Sequence, residues 1–395
     1  MNFLEVEDWK EIHGFRGDES WAAPQIIKHC DTEARPGYQS KKAHEYHDTK
    51  EVLEAKVKEF ARMLSDSKNC LVYSGAGLST ASGIGDYATK AGTPGESLSD
   101  PTPPHLRSPL LAKPTYSHRV LSKLCELGTI KRWIQQNHDG LPQKAGVPQH
   151  LINEIHGAWF DVSNPIVNMS GELRTDLFED MTIWEKTTDL TISIGTSMCG
   201  MNADRVFTTV ATKAKSGVAE ALGGVIISLQ QTQYDNISAL RIFATIDDVM
   251  ILLSQELELG VEKGDVGLYS IPESLDSMKV DEDVFLIPYD RLGKLLPKEN
   301  RMNKSFMTVL DLRVGSKYRV TQGPYKDDQG EVIGKNLQNN YRLVTKHRIK
   351  GRDGKCTLRA WESLFGSWWV EAAVRGTIKE LPLCSVNPPH PVAEL

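Results

Sequence analysis

The chain has 395 residues, of which 40% are hydrophobic and 25% are charged. These values are ordinary for a globular protein, and the length allows one large core and a second, smaller one. The formal net charge of −6 argues against nucleic acid as a partner, because dedicated nucleic-acid binders usually present a basic face.

The six cysteines are scattered and form no C-x-x-C pair. That pattern favours reduced thiols over a disulfide framework. No apolar run approaches the roughly 20 residues that a membrane span requires, and the acidic opening MNFLEVEDWKEIHG is not typical of a secretory signal. We therefore expect a non-secreted protein of a reducing intracellular compartment (cytoplasm, cytoskeleton or nucleus) with no membrane partner.

The first half of the chain alternates between predicted helices and buried strands. Residues 1–49 show no sustained period and are predicted to form an extended arm, whereas KEVLEAKVKEFARMLSDS has apolar residues near helical spacing. An apolar strand at 70–73 is followed by a glycine turn and a small-residue helix start, which is the opening of a dinucleotide-binding unit. Further unalternating strands, with helical stretches between them, predict a parallel sheet; they are IKRWIQ (130–135), LTISIG (190–195) and GVIISL (224–229).

After about Gly260 the pattern becomes β-rich. MTVLDL, SKYRVTQGPY, GEVIG and NYRLVTKH are short and separated by turn residues, which predicts a small antiparallel barrel or sandwich. Three tryptophans in RAWESLFGSWWV could form a binding face, but core positions are favoured. The predicted organisation is an arm at 1–49, an α/β domain at 50–260, a linker at 261–304, a β-rich and possibly SH3-like domain at 305–380, and a proline-rich tail at 381–395.

Small and polar residues follow several of the predicted strands. Gly75 and Gly77 would let the backbone approach a phosphate closely, and a following helix N-terminus would favour its charge, although a tight strand-to-helix turn is the alternative. The cluster at 136–139 (QNHD) could hydrogen-bond a ribose and a carboxamide, or form a turn stabilised by its own side chains. His156 has the chemistry of a general base, and it could equally be a structural histidine.

Taken in order, these stretches resemble the sirtuins, the NAD-dependent protein-lysine deacylases. The family's GAG-x-S-x-x-SGIPDFR loop, QN-x-DGLH-x-x-AG segment, HG and GTS appear here as GAGLSTASGIGDYA, QNHDGLPQKAG, IHG and GTS. The resemblance runs from about Lys50 to about Gly260. GELRTDLFEDMTIWE and the stretch at 224–250 are most similar to the branch that includes the nuclear sirtuins.

The resemblance implies a Rossmann-type parallel sheet as the sirtuin large domain, with a reduced small domain and a small C-terminal β-rich domain. It implies NAD as the cofactor, His156 as the catalytic base, and Asn137 and Asp139 as further catalytic residues. The implied cofactor-binding residues are Gly75, Ala76, Gly77, Ser79, Asp86, Tyr87, Gln136, Asn137, Asp139, Gly195, Thr196, Ser197 and Ser228.

Four departures from the family pattern bear on activity. Ala88 stands where the family has an arginine, which removes a permanent charge from a site for an anionic cofactor. His138 replaces a small apolar residue, and Pro142 replaces a histidine. Residues 157–194 contain no cysteine, whereas the family binds a structural zinc there through two C-x-x-C pairs, so we expect no zinc.

Two hypotheses follow. The first is a sirtuin-like NAD-binding protein that is catalytically impaired and serves as a subunit of a larger assembly, with protein partners bound through the N-terminal arm and the C-terminal region. The alternative is an active deacylase or ADP-ribosyl transferase that acts on an acyl-lysine protein.

Overall fold

The computed structural model describes residues 12–33, 41–85, 109–168, 171–264, 267–350 and 356–386. In chain order its helices are α1 (Lys50–Asp66), α2 (Tyr116–Glu126), α3 (Leu141–Lys144), α4 (Thr175–Thr187), α5 (Arg205–Lys215), α6 (Ile246–Glu256) and α7 (Trp368–Arg375). The strands are β1 (Gln25–Lys28), β2 (Glu45–His47), β3 (Cys70–Ser74), β4 (Ile130–Gln135), β5 (Ile152–Glu154), β6 (Leu190–Ile194), β7 (Gly223–Ile227), β8 (Leu240–Ile242), β9 (Lys279–Asp281), β10 (Val284–Ile287), β11 (Thr308–Asp311), β12 (Lys317–Val320), β13 (Gln329–Lys335), β14 (Tyr341–Lys350), β15 (Cys356–Phe365) and β16 (Leu383–Ser385).

The chain divides into two compact units, each built from several segments. The first comprises Met1–Asn137, Leu151–Ile155 and Thr175–Val266, and the second comprises His138–His150, His156–Arg174 and Gly267–Leu395. No helix in the described ranges is long and apolar enough to cross a membrane.

A six-stranded parallel sheet forms the centre of the first unit. Its order is β5-β4-β3-β6-β7-β8, and every neighbouring pair is parallel. If the six strands are numbered along the chain, this is the 3-2-1-4-5-6 order of dinucleotide-binding folds. Strands β3, β6 and β7 are buried throughout, as the unalternating apolar runs predicted. The predicted Rossmann-type sheet is therefore confirmed.

Helices pack on this sheet through their apolar sides. Helix α1 begins at Thr49, whose side chain accepts a hydrogen bond from the Val52 amide, and it buries Val57, Phe60 and Leu64. Helices α1 and α2 contact α6, whereas α4 contacts α5, and α5 also lies on β6 and β7. The first unit is thus a layered α/β structure in which the helices position the strand ends that carry the polar loops.

The N-terminal arm is partly integrated into the first unit. Strands β1 and β2 form an antiparallel pair, and the Arg241 amide donates to the His13 carbonyl at 3.0 Å. Asp48, fully buried, pairs with Lys56 Nζ at 2.7 Å and accepts from the Phe243 amide at 2.9 Å. Burial lowers the pKa of Lys56 to about 8, although the Asp48 carboxylate opposes that shift. A buried ion pair therefore ties the arm to α1 and the end of β8.

The second unit contains the predicted small β-rich domain. Its five-stranded antiparallel sheet has the order β15-β14-β13-β12-β16. Strand β16 pairs with β12 and falls in the range predicted to be a tail, so part of 381–395 is sheet. A second sheet, β11-β10-β9, draws two strands from the range predicted to be a linker, so part of 261–304 is sheet. The core positions favoured for Trp368 and Trp369 are confirmed, since both are buried, whereas Trp361 is 43% exposed.

Candidate functional site

The predicted site residues of the first unit follow four adjacent parallel strands. Residues 75–79 follow β3, 136–137 follow β4, 195–197 follow β6 and Ser228 follows β7. Strand order reverses between β3 and β6, and ligands of open α/β sheets bind outside the carboxyl ends of the strands at such a point. The loops after β3 and β6 therefore flank the position where a ligand is expected.

Most amides of the loop after β3 donate to carbonyls of the protein, either in the loop itself or at the end of β6. Gly75 donates to the Ile194 carbonyl at 3.0 Å, Gly77 donates to the Gly195 carbonyl at 2.8 Å, and Ser79 donates to the Ala76 carbonyl at 3.0 Å. In contrast, the Ala76 amide has no acceptor among the described residues. A half-buried amide of this kind is a donor for a ligand oxygen.

The predicted helix start after the glycine turn is wrong for the residues that are described. Ala76–Leu78 and Thr80–Ser82 form two short 3₁₀ turns, and Gly83 ends the second in the left-handed region with φ +81°. Small residues and a serine hydroxyl favour such turns, because they compete with the backbone bonds of a continuous helix. Any attraction for a phosphate at this loop therefore comes from individual donors and not from a helix dipole.

Glycines 77 and 195 are required by the contact between their two loops. Gly195 has φ +59°, and a Cβ there would lie 2.4 Å from the Leu78 nitrogen. A Cβ on Gly77 would lie 2.9 Å from the Gly195 Cα. These glycines thus allow two backbones to meet. For Gly77 the sequence had suggested a phosphate contact or a tight turn, and this contact between loops is a third reason for a glycine there.

Two amide side chains join the loops. Asn137 Nδ2 donates to the Gly75 carbonyl at 3.0 Å and to Ser79 Oγ at 3.0 Å. Gln136 Nε2 donates to Thr196 Oγ1 at 2.9 Å. Together with the contact between Gly77 and Gly195, these bonds bring most of the predicted cofactor-binding residues of the first unit into one network.

The remaining predicted residues are not joined to this network by direct bonds in the described chain. Ser197 Oγ lies 3.4 Å from Cys199 Sγ, and Ser228 Oγ accepts from the Gln230 amide at 3.3 Å. Both serines nevertheless stand at carboxyl ends of sheet strands. Asp86 and Tyr87 lie outside the described residues.

The other two predicted catalytic residues, Asp139 and His156, belong to the second unit. Asp139 is buried, and its Oδ1 accepts from the Leu141 amide at 3.0 Å at the start of α3. This is the self-stabilised turn that the sequence offered as the alternative. Burial lowers the pKa of the neighbouring Lys144 to about 8, and Asp139 opposes that shift.

His156 is half-buried, and its carbonyl accepts from the Val167 amide at 3.0 Å. The following Gly157 has φ +98°, and a Cβ there would lie 2.4 Å from the Pro165 carbonyl oxygen. His138, the residue foreign to the family pattern, bonds through Nδ1 to the Gly157 carbonyl at 2.8 Å. The histidine-glycine turn is therefore held by one backbone hydrogen bond, from Val167, and by one side-chain hydrogen bond, from His138.

The segment that follows His156 is held against α7 by hydrogen bonds and a ring contact. The sequence did not predict this contact. The Phe160 carbonyl accepts from the Gly366 amide and from Trp369 Nε1, both at 3.1 Å, and the Phe160 ring lies 5.2 Å from the Trp368 ring. Arg174 bonds to the Ser163 carbonyl at 3.3 Å. The tryptophan pair in GSWWV indicated a buried packing site, but nothing in the sequence identified the segment that packs against it.

No group of three or more His, Cys, Asp or Glu side chains within the described ranges is arranged to hold a metal ion.

Comparison with known proteins points to one family. No family model matches the chain. It is 34% identical over 121 residues to the NAD-dependent protein deacetylase SRT1 of Arabidopsis thaliana, which covers 29% of this chain and 25% of that protein. It is 28% identical over 262 residues to the NAD-dependent protein deacetylase sirtuin-7 of Bos taurus, which covers 55% and 63%. The chain thus spans less than two thirds of either relative.

A solved Sir2 complex with a p53 peptide and NAD⁺ is 23% identical and has a TM-score of 0.42, covering 52% of this chain and 99% of that one. The match to sirtuin-7 is consistent with the predicted branch of the family.

The close approach of the two loops yields a stability prediction. Gly195→Ala should lower the free energy of unfolding by about 1–3 kcal/mol more than Gly200→Ala, because only the former drives a Cβ into a neighbouring backbone. Gly200 is the matched control: it is also left-handed, with φ +87°, but the nearest atom to its Cβ is 3.9 Å away. Urea unfolding measures the difference, and equal losses would mean that the loops separate at little cost.

Proposed function

We propose that this chain, a member of the sirtuin family, binds NAD through its first unit but is catalytically impaired, and that it serves as a structural or interaction subunit. Its relatives SRT1 and sirtuin-7 are named NAD-dependent protein deacetylases. The proposal separates two properties that those names combine, the binding of the cofactor and its use.

The loop network at the carboxyl ends of β3, β4 and β6 carries the binding half of the proposal. The Ala76 amide is a donor without an acceptor among the described residues, and it stands beside the strand-order reversal. Donors at this point suit the pyrophosphate of a dinucleotide. NAD, when bound, supplies an activated bond between ribose and nicotinamide, and the residues of this unit hold and orient the loops around it.

The proposed catalytic impairment rests on side chains that already form hydrogen bonds with other groups of the protein. Both donor bonds of Asn137 go to the loop after β3, to Gly75 and Ser79. Asp139 caps Leu141. The arginine of the family motif is absent at Ala88, which removes a cation worth about 1–3 kcal/mol of binding to an anionic ligand.

The retained His156-Gly157 pair favours the second candidate, an active deacylase or ADP-ribosyl transferase. A half-buried imidazole can act as a general base near neutral pH. That candidate requires Asn137 and Asp139 to exchange their present partners for substrate, at the cost of the bonds that hold their loops.

The interaction role is proposed for the surface of the arm and for the C-terminal region. Much of the described arm already bonds to the rest of the first unit, through Asp48 and through residues 13–16. Strand β1 is exposed along its whole length, and Ile27 in it is 55% exposed. We therefore propose that a protein partner of the arm binds along β1.

Cofactor binding is tested by thermal unfolding with and without NAD. At ten times its Kd, NAD should stabilise the chain by about 1.4 kcal/mol, which corresponds to a rise in Tm of roughly 2 °C for a chain of 395 residues. Asn137→Asp should abolish the rise, because it removes both donors that hold the loop. Asn303→Asp, the same change at an exposed position, should retain it. A wild-type chain that does not respond to millimolar NAD would refute the binding proposal.

Impairment is tested by nicotinamide release from NAD with acetyl-lysine peptides. Release should stay near background in the wild type, and His156→Ala should change it by less than about twofold, because a general base contributes its 10²–10⁴-fold only in an assembled site. Turnover by the wild type that His156→Ala abolishes would instead establish the active enzyme. A sirtuin with known turnover, assayed alongside, shows that the peptides and the detection work.

Independence from zinc is tested by elemental analysis of the purified chain. Less than about 0.1 zinc per chain is expected, because residues 157–194 lack the cysteines that a structural site requires. A chelator should leave Tm unchanged for the same reason. One zinc per chain, retained through dialysis, would contradict the proposal.

A further inference from the structure

The charge of the chain is distributed unevenly, and its local basic excess lies on β14 and β15. These strands carry five cations and one carboxylate, a net +4, in a chain of net −6, so all other residues together carry −10. The cations are Arg342, Lys346, Arg348, Lys350 and Arg359, and the carboxylate is Glu362. The overall charge that argued against nucleic acid thus conceals a basic hairpin.

Some cations of the same unit are paired with carboxylates. Arg319 bonds to Asp327 at 2.8 Å, and Arg342, near the base of the hairpin, bonds to Glu362 at 2.7 Å. Lys346, Arg348 and Arg359 are exposed, and no carboxylate in the described ranges pairs with them. Three unneutralised charges therefore project from the outer half of the hairpin, where an anion would reach them without displacing an internal partner.

An aromatic cluster lies beside these charges. The His347 ring packs against the Tyr325 ring at 4.1 Å and against the Trp361 ring at 4.8 Å, and its Nδ1 is held by Asp328 at 2.9 Å. Trp361 and Tyr325 meet nearly at right angles, at 79° and 6.1 Å. His347 is buried, so it anchors Trp361 while leaving the indole 43% exposed.

The ladder register places a cation next to this indole. Arg359 lies opposite His347, and Trp361 lies opposite Thr345, so the two share one face of the hairpin. Lys346 and Arg348 alternate onto the other face. One face thus combines a flat aromatic surface with a guanidinium, and the other adds positive potential.

We propose that the outer half of the β14–β15 hairpin binds single-stranded nucleic acid. A base stacks on the exposed face of Trp361, Arg359 contacts the adjacent phosphate, and Lys346 and Arg348 attract the backbone. An indole face can stack only on a base that is itself unstacked, so a single strand fits better than a duplex. Such binding tolerates different sequences, because every base offers a π-face.

The test is fluorescence anisotropy of the full chain with fluorescein-labelled oligo-U and oligo-dT of 12 nucleotides. Trp361→Ala should weaken binding about tenfold, whereas Trp361→Tyr, which keeps a stacking ring, should retain most of it. The tyrosine variant also separates lost stacking from lost folding, which thermal unfolding of both variants checks. Equal affinity for wild type and Trp361→Ala would overturn the proposal.

The charges are tested through salt dependence. The double variant Lys346→Gln/Arg348→Gln should reduce the slope of log K against log salt by about 1.4, since each phosphate contact to a single strand contributes about 0.7. Lys298→Gln/Lys304→Gln, two exposed lysines of the same unit, should leave it unchanged.

Three further outcomes would refute the proposal. Tighter binding to a 12-base-pair duplex would refute the single-strand site. Binding to vesicles with 20% phosphatidylserine, without binding to either oligonucleotide, would identify a membrane surface. Self-association of the double variant with unaltered oligonucleotide affinity would show that the charges serve only to keep copies of the chain apart.

Discussion

The backbone contact between Gly77 and Gly195 is the constraint on which the candidate site depends. It joins the loops that follow β3 and β6, the two strands at which the order of the sheet reverses. Because a Cβ at Gly195 would lie 2.4 Å from the Leu78 nitrogen, the approach is possible only without side chains. Asn137 and Gln136 then close the network from β4, so three strand ends are fixed relative to one another by neutral hydrogen bonds.

The shortage of unbonded donors supports the proposed catalytic impairment. Amides that already donate to a carbonyl of the protein cannot also bind a ligand without losing that partner, and a broken bond to a buried group costs about 1–3 kcal/mol. Ala76 is the exception in 75–79, since its amide has no acceptor among the described residues. A rigid loop with one such donor is suited to holding a ligand in place, and less suited to the rearrangements of a reacting site.

Local patterns predicted the central sheet, and long-range packing accounts for what they missed. The buried strands at 70–74 and 190–194 are apolar runs of the kind that parallel sheets require, and the cap at Thr49 is a local signal for α1. In contrast, Asp48 pairs with Lys56 and with the Phe243 amide, 195 residues away, and no local pattern encodes that contact. The turn at Asp139 was visible as an alternative, because an aspartate before glycine has its own backbone partners.

The presence of His156-Gly157 is therefore weak evidence for catalysis in this chain. Gly157 is required at φ +98° because the Pro165 carbonyl occupies the space of a Cβ, and the His156 carbonyl closes the loop through Val167. The loop in turn rests on Trp369 through the Phe160 carbonyl, so the C-terminal helix supports the histidine turn. The turn needs these backbone conformations whether or not the imidazole ever accepts a proton. Only turnover that depends on the imidazole can therefore distinguish a catalytic role of His156 from a structural one.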